Sequence, residues 1–121
     1  MSFNVLNNDI QEISAKDKNA DLDTQIKNLL GSSKIVLFMK GNAQMPQCGF
    51  SANSVAILKH LGVGFNTFNI LNDPEIRQGL KEFSNWPTYP QLYVNGKLLG
   101  GNDIITEMYQ SGELQEYITK N

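Results

Sequence analysis

A continuous apolar run followed by a polar loop and a helical pattern constrains this chain more than any other stretch. Ile35-Val36-Leu37-Phe38-Met39 has strand length and is apolar on both faces, as a buried parallel strand must be. From Ser51 to Leu61, the residues Val55, Ile57, Leu58 and Leu61 fall mostly on one helical face, and Gly62 supplies a stop. A buried strand handing over to a helix is half of a βαβ unit, which commits the chain to a layered α/β fold. The junction holds Cys48, the single cysteine of the sequence. The spacing predicts Cys48 at or just before a helix N-terminus, where unpaired N–H groups and the helix dipole favour an anion. A thiol there loses its proton more easily, and the thiolate is both nucleophile and metal ligand. A free cysteine is often just a small buried hydrophobe, but Gly49 and the polar loop before it favour exposure.

The remaining elements follow from local patterns. Residues 1–20 are polar and asparagine-rich and read as a flexible N-terminal arm, leaving 21–121 as the single domain. Within the arm, Phe3, Leu6, Ile10 and Ile13 make the stripe of a short amphipathic helix, suited to docking or a dimer contact. Asp23 is placed to cap a helix carrying Ile26, Leu29 and Leu30, closed by Gly31. Phe65 to Ile70 alternates and reads as a strand. Asp73-Pro74-Glu75 opens a helix with a cap, a proline at its first position and an acid in its first turn. Gln91 to Val94, Asn95-Gly96, and Lys97 to Leu99 form a hairpin with a type I′ turn. Gly100-Gly101-Asn102-Asp103 ends the strand and offers caps to a helix through Met108, and Glu113 to Thr119 supplies the last helix. The expected architecture is α/β, a four-stranded mixed sheet with helices on both faces.

At 121 residues the chain has one domain and enough length for a core. A net charge of −2 gives no electrostatic case for nucleic acid or an anionic membrane surface. No stretch approaches the roughly 18 apolar residues of a membrane span. One cysteine excludes an internal disulfide. With no secretory or transit pattern at the N-terminus, a cytoplasmic location is expected.

Open α/β sheets bind ligands at one rim, outside their strand ends. Lys40, Cys48, the turn from Trp86 to Pro90 and the turn from Gly100 to Asp103 should meet there. Arg77, the sole arginine, lies one turn into its helix; with Lys40 it can grip a small carboxylate. The residues after Gly101 can hold a second carboxylate at a helix N-terminus. Asp103 can cap that helix or pair with a ligand ammonium, and both readings stand. The Tyr89–Pro90 bond, taken from sequence alone, reads as trans. Phe83, Trp86 and Met108 read as core, and His60 as a surface residue.

Lys40-Gly41, Pro46, Cys48-Gly49-Phe50-Ser51, Trp86-Pro87-Thr88-Tyr89-Pro90-Gln91 and Gly100-Gly101-Asn102-Asp103, in that order, resemble a monothiol glutaredoxin of the CGFS type. The resemblance covers roughly residues 22–120. It implies a thioredoxin-like fold with Pro90 cis and facing Cys48, and a glutathione site. In that site Lys40 and Arg77 would hold the glycine carboxylate, the Tyr89 backbone would pair with the cysteinyl unit, and Asn102 and Asp103 would receive the γ-glutamyl end. Asn102 departs from the pattern, since many relatives carry Cys or Ser there. Ser51 stands where a resolving cysteine would stand in C-x-x-C, so the chain cannot cycle a dithiol by itself. A [2Fe–2S] cluster ordinarily takes four thiolates. Two chains and two glutathiones supply four, so a cluster-bridged homodimer that passes its cluster to acceptor apoproteins is the expected function. The alternative is a glutathione-dependent oxidoreductase with Cys48 as nucleophile.

Overall fold

The structure, a computed structural model, describes residues 9–121. Its elements are β1 (Ile10–Ile13), α1 (Leu22–Leu30), β2 (Ile35–Met39), α2 (Gly49–Leu61), β3 (Phe65–Asn69), a 3-10 turn (Ile70–Asn72), α3 (Pro74–Ser84), β4 (Gln91–Val94), β5 (Lys97–Gly100), α4 (Asn102–Ser111) and α5 (Glu113–Lys120). The sheet order is β1-β3-β2-β4-β5, with β1, β3 and β2 parallel and β4 and β5 antiparallel. This is the expected thioredoxin-like α/β architecture with one strand more than expected.

That strand is the main correction. Residues 10–13 lie neither in a loose arm nor in a helix: Ile10 pairs with Phe65 and Ile13 with Phe68 along the free edge of β3. Ile10 is buried in the core and Ile13 packs against it from the other face. A period-2 placement turns Ile10 and Ile13 to opposite faces, whereas the helical reading put them on one. Phe3 and Leu6, the other half of the stripe, lie outside the described residues.

β2 sits at the centre, with every residue buried. Ile35, Leu37 and Met39 face the core under α2, α4 and α5, beside Val55, Leu58, Ile105 and Leu114. Val36 and Phe38 face the core under α1 and α3, where Phe38 lies 5.4 Å from both Phe68 and Tyr93, edge-on to the latter. The continuous apolar run therefore reflects a strand covered on both faces. The hairpin turn has Asn95 at φ 52° and Gly96 at φ 79°, the pair of positive angles a type I′ turn demands. Gly62, in the left-handed region at φ 75°, closes α2 as expected.

Caps were less legible. Asp21, not Asp23, caps α1, accepting from Thr24 N–H at 2.7 Å, while Asp23 pairs with Lys27 one turn on. No side chain caps α4, whose first turn follows Gly101. Phe83 is 42 % exposed rather than core. No helix among the described residues is long and apolar enough to cross a membrane.

Candidate functional site

Cys48 is the N-cap of α2. Its Sγ accepts from Ser51 N–H at 3.3 Å and its thiol donates to Ser51 Oγ at 3.3 Å. Ser51 is fully buried, and its hydroxyl also accepts from Lys40 N–H at 3.1 Å. One serine thus joins the end of β2 to the thiol. Partial burial pushes the Cys48 pKa up, but the Ser51 hydroxyl, the Ser51 and Phe50 amides and the Lys40 charge outweigh it. The thiol is held below its ordinary value of 9.0.

The loop leading to Cys48 folds back on itself. Gly41 and Pro46 form an isolated bridge, Gln47 N–H donates to Lys40 C=O at 2.8 Å, and Asn42 Oδ1 accepts from Met45 N–H at 2.8 Å. From β3, Asn69 Oδ1 accepts from both Gly41 and Leu71 N–H, tying the loop to the turn that precedes α3.

Beside the thiol lies a cleft of about 550 Å³, lined by Lys40, Phe50, Arg77, Lys81, the segment 86–90 and the segment 101–104. The structure therefore gathers Lys40, Arg77, Tyr89, Asn102 and Asp103 around one cavity. Cys48 is not among the lining residues; its neighbours Lys40 and Phe50 are. Among the described residues, none of Lys40, Arg77 and Lys81 is engaged in an ion pair. Three cations free of ion pairs, lining the same cleft as Asp103, suit a ligand with carboxylates and an ammonium group.

Two devices hold the wall between β4 and α3. The Tyr89–Pro90 peptide is cis where the sequence alone reads trans. The Tyr89 hydroxyl donates to Arg77 C=O at 2.7 Å, and burial pushes its own pKa well above the ordinary phenol value. Gln91, fully buried, donates through Nε2 to Trp86 C=O (3.1 Å) and Thr88 C=O (3.2 Å). Its Oε1 accepts from Tyr93 Oη at 2.7 Å, so the whole amide is used in shaping the turn. A polar residue opening an otherwise apolar strand is the signal that could have marked Gln91. Trp86, read as core, lines the cleft, its indole N–H buried and without a partner among the described residues.

Asn102 and Asp103 sit in the first turn of α4 without capping it. The Asn102 carbonyl Oδ1 is instead turned onto α2, accepting from Ser54 Oγ and from Asn53 Nδ2, each at 2.9 Å. His60 lies edge-on to Tyr109 at 5.7 Å, away from the cleft residues.

Residues 35–99 match the family model described as Glutaredoxin. A ycf64-like monothiol glutaredoxin of Synechocystis sp. is 55 % identical over 83 % of this chain and 94 % of its own length. A probable monothiol glutaredoxin 2 of Rickettsia typhi is 55 % identical over 77 % of this chain and 84 % of its own. Among solved structures, reduced apo GrxS14 of poplar superposes with a TM-score of 0.73 at 54 % identity, covering 82 % of this chain and 91 % of that one.

Proposed function

The chain belongs to the glutaredoxin family, among its monothiol members, and on that premise we propose that it binds glutathione in the cleft beside Cys48 and carries a [2Fe–2S] cluster between two copies of itself to acceptor apoproteins. The observation that carries this reading is one activated, partly exposed thiol next to a cleft whose cations are uncommitted. Lys40 and Arg77 suit the glycine carboxylate of glutathione, the main chain of Tyr89 its cysteinyl unit, and the first turn of α4, with Asp103, its γ-glutamyl head. Tyr89 precedes β4, and among the described residues its main-chain groups enter none of the turn or loop hydrogen bonds.

The donor set fits the cluster as cargo. No group of three His, Cys, Asp or Glu side chains converges among the described residues, so one chain cannot ligate a cluster alone. Cys48 supplies one thiolate and a bound glutathione a second; two copies supply the four such a cluster ordinarily takes. Glutathione is then a structural part of the dimer, and assembly is linked to it by mass action.

Anaerobic reconstitution with iron, sulfide and glutathione tests the reading. The expected product is a coloured dimer with thiolate-to-iron absorption, which reverts to monomer when iron is chelated or glutathione removed. Cys48→Ser should form none. Arg77→Ala should retain the cluster more weakly, losing a charge-assisted contact worth roughly 1.5–3 kcal/mol, and Arg77→Lys should recover part of it. A stoichiometric cluster on Cys48→Ser would overturn the assignment.

The lowered thiol pKa favours a second reading, a glutathione-dependent oxidoreductase. Here the Cys48 thiolate attacks the glutathionyl sulfur of a mixed disulfide and releases the target's thiolate. A second glutathione thiolate then attacks that same sulfur, forming glutathione disulfide and freeing Cys48. Ser51 cannot act as the resolving thiol, so the second glutathione is obligatory.

A further inference from the structure

The Asn102 amide has a fixed orientation, and the residues that fix it belong to the helix that carries Cys48. Asn102 Oδ1 accepts from both Ser54 Oγ and Asn53 Nδ2, each at 2.9 Å, so both lone pairs of its carbonyl are used on α2. Asn53 Nδ2 makes a second bond at 2.9 Å to Thr106 Oγ1, one turn further along α4, which holds its own amide in register. Ser54 is fully buried, so its hydroxyl has no water to turn to instead. With its oxygen consumed on α2, Asn102 has its Nδ2 group left, which donates to none of the described residues, and Asn102 lines the cleft.

Resting on the glutathione reading above, we propose that Ser54 and Asn53 are positioning residues: they turn the Asn102 amide so that the cleft receives its N–H₂ side and the α4 end selects a ligand bearing a carboxylate there. Were the amide free to turn, its carbonyl could face that ligand and repel the same carboxylate. The lock makes the subsite a donor only, next to the Asp103 carboxylate, whose oxygens accept. A donor beside an acceptor is complementary to the carboxylate and ammonium of an α-amino acid head, the chemistry of a γ-glutamyl group. Cys48 caps the first turn of α2 and Asn53 and Ser54 occupy its next turn, so the same helix sets both the thiol and the far end of its ligand.

The test compares two thiols by calorimetry on the full chain: glutathione, and N-acetylcysteinylglycine, which keeps the thiol and the glycine carboxylate but lacks the γ-glutamyl head. Ser54→Ala, Asn53→Ala and the double variant should each lose affinity for glutathione, about two- to tenfold, and bind N-acetylcysteinylglycine as the wild type does. Asn53 is exposed, so its variant leaves no buried cavity should Ser54→Ala fail to fold. Asn102→Asp, with one oxygen still held on α2 and the other facing the cleft, should lose more glutathione affinity than either single variant while keeping the analogue. Equal losses for both thiols would mean that the two residues only pack the helices together, and would overturn the proposal. No loss for either would overturn it too. A wild type that binds neither thiol would overturn the glutathione reading itself, which separates the two failures.

Discussion

The Ser51 hydroxyl meets the Lys40 N–H on one side and the Cys48 thiol on the other, at 3.1 and 3.3 Å. Its place, three residues after the cysteine, is the one that makes the chain monothiol, yet the residue is not inert. When the thiol ionises, the same hydroxyl can turn its proton to the sulfur, and the Ser51 and Phe50 amides at the start of α2 already point there. The rate of alkylation of Cys48 should therefore rise to half its maximum below pH 9.0, the ordinary thiol value. Ser51→Ala removes the hydroxyl and leaves the amides and the Lys40 charge, so the midpoint should move up while burial goes on opposing ionisation. An unchanged midpoint would assign the whole effect to the helix end and Lys40. The sign for folding follows from the same shift: an acid held below its unfolded value stabilises the fold above that unfolded value. The contribution is lost as pH falls through the lowered one.

At the scale of elements, the site is a set of short connections braced from neighbouring strands and helices. The loop between β2 and α2 turns at Gly41, which has φ 86°, inside the left-handed region. A Cβ there would lie 2.5 Å from Met45 C=O and 2.7 Å from Gln47 N, both main-chain atoms that cannot swing aside. Gly41→Ala should cost about 1–3 kcal/mol in backbone strain, before the clash is relieved by opening the loop. Chemical denaturation should show the lower stability, and Cys48 should alkylate with an altered pH profile as its loop shifts. A variant as stable as the wild type would show that the loop is not braced as described. Across the cleft, the Tyr89 hydroxyl on Arg77 C=O and the Gln91 amide on the turn play the corresponding part for α3 and β4.

For the whole molecule, β1 and the segment after it join the ends of the site to each other. Glu12 Oε1 accepts from Asn42 Nδ2 at 3.2 Å in the loop before Cys48. Lys18 Nζ pairs with Asp73 at 2.7 Å, where Asp73 caps the helix that carries Arg77. Each contact is exposed and worth little alone; the stabilising term is the burial of Ile10 against Phe65 and the α2-side core. Ile10→Ala should lower stability by at least about 2 kcal/mol, as removal of a buried isoleucine does. A loose arm would give a change within about 0.5 kcal/mol. Thermal or denaturant unfolding of the full chain decides between them.

What the sequence determined by itself is whatever rests on neighbours in the chain. The apolar run at 35–39, the Asn95-Gly96 turn, the Asp73-Pro74 start of α3 and the thiol at the start of α2 are local patterns with local causes, and each stands where its residues place it. The gathering of Lys40, Arg77, Tyr89, Asn102 and Asp103 at one rim followed from the handedness of the βαβ unit and the strand ends. Tertiary structure alone decided the rest. A four-residue parallel edge strand carries no turn or periodic signal, because its partner lies more than fifty residues away, so nothing local marks β1 at Ile10 and Ile13, which also fit a helical spacing. Two aspartates near the start of α1 both suit a cap, and packing of Ile26 and Leu29 into the core sets the frame in which Asp21 takes it. Asn102 reads as a capping residue in isolation, but two donors on α2 outcompete the helix end for its oxygen. Local propensity names what a residue can do; the groups packed against it decide which of those it does.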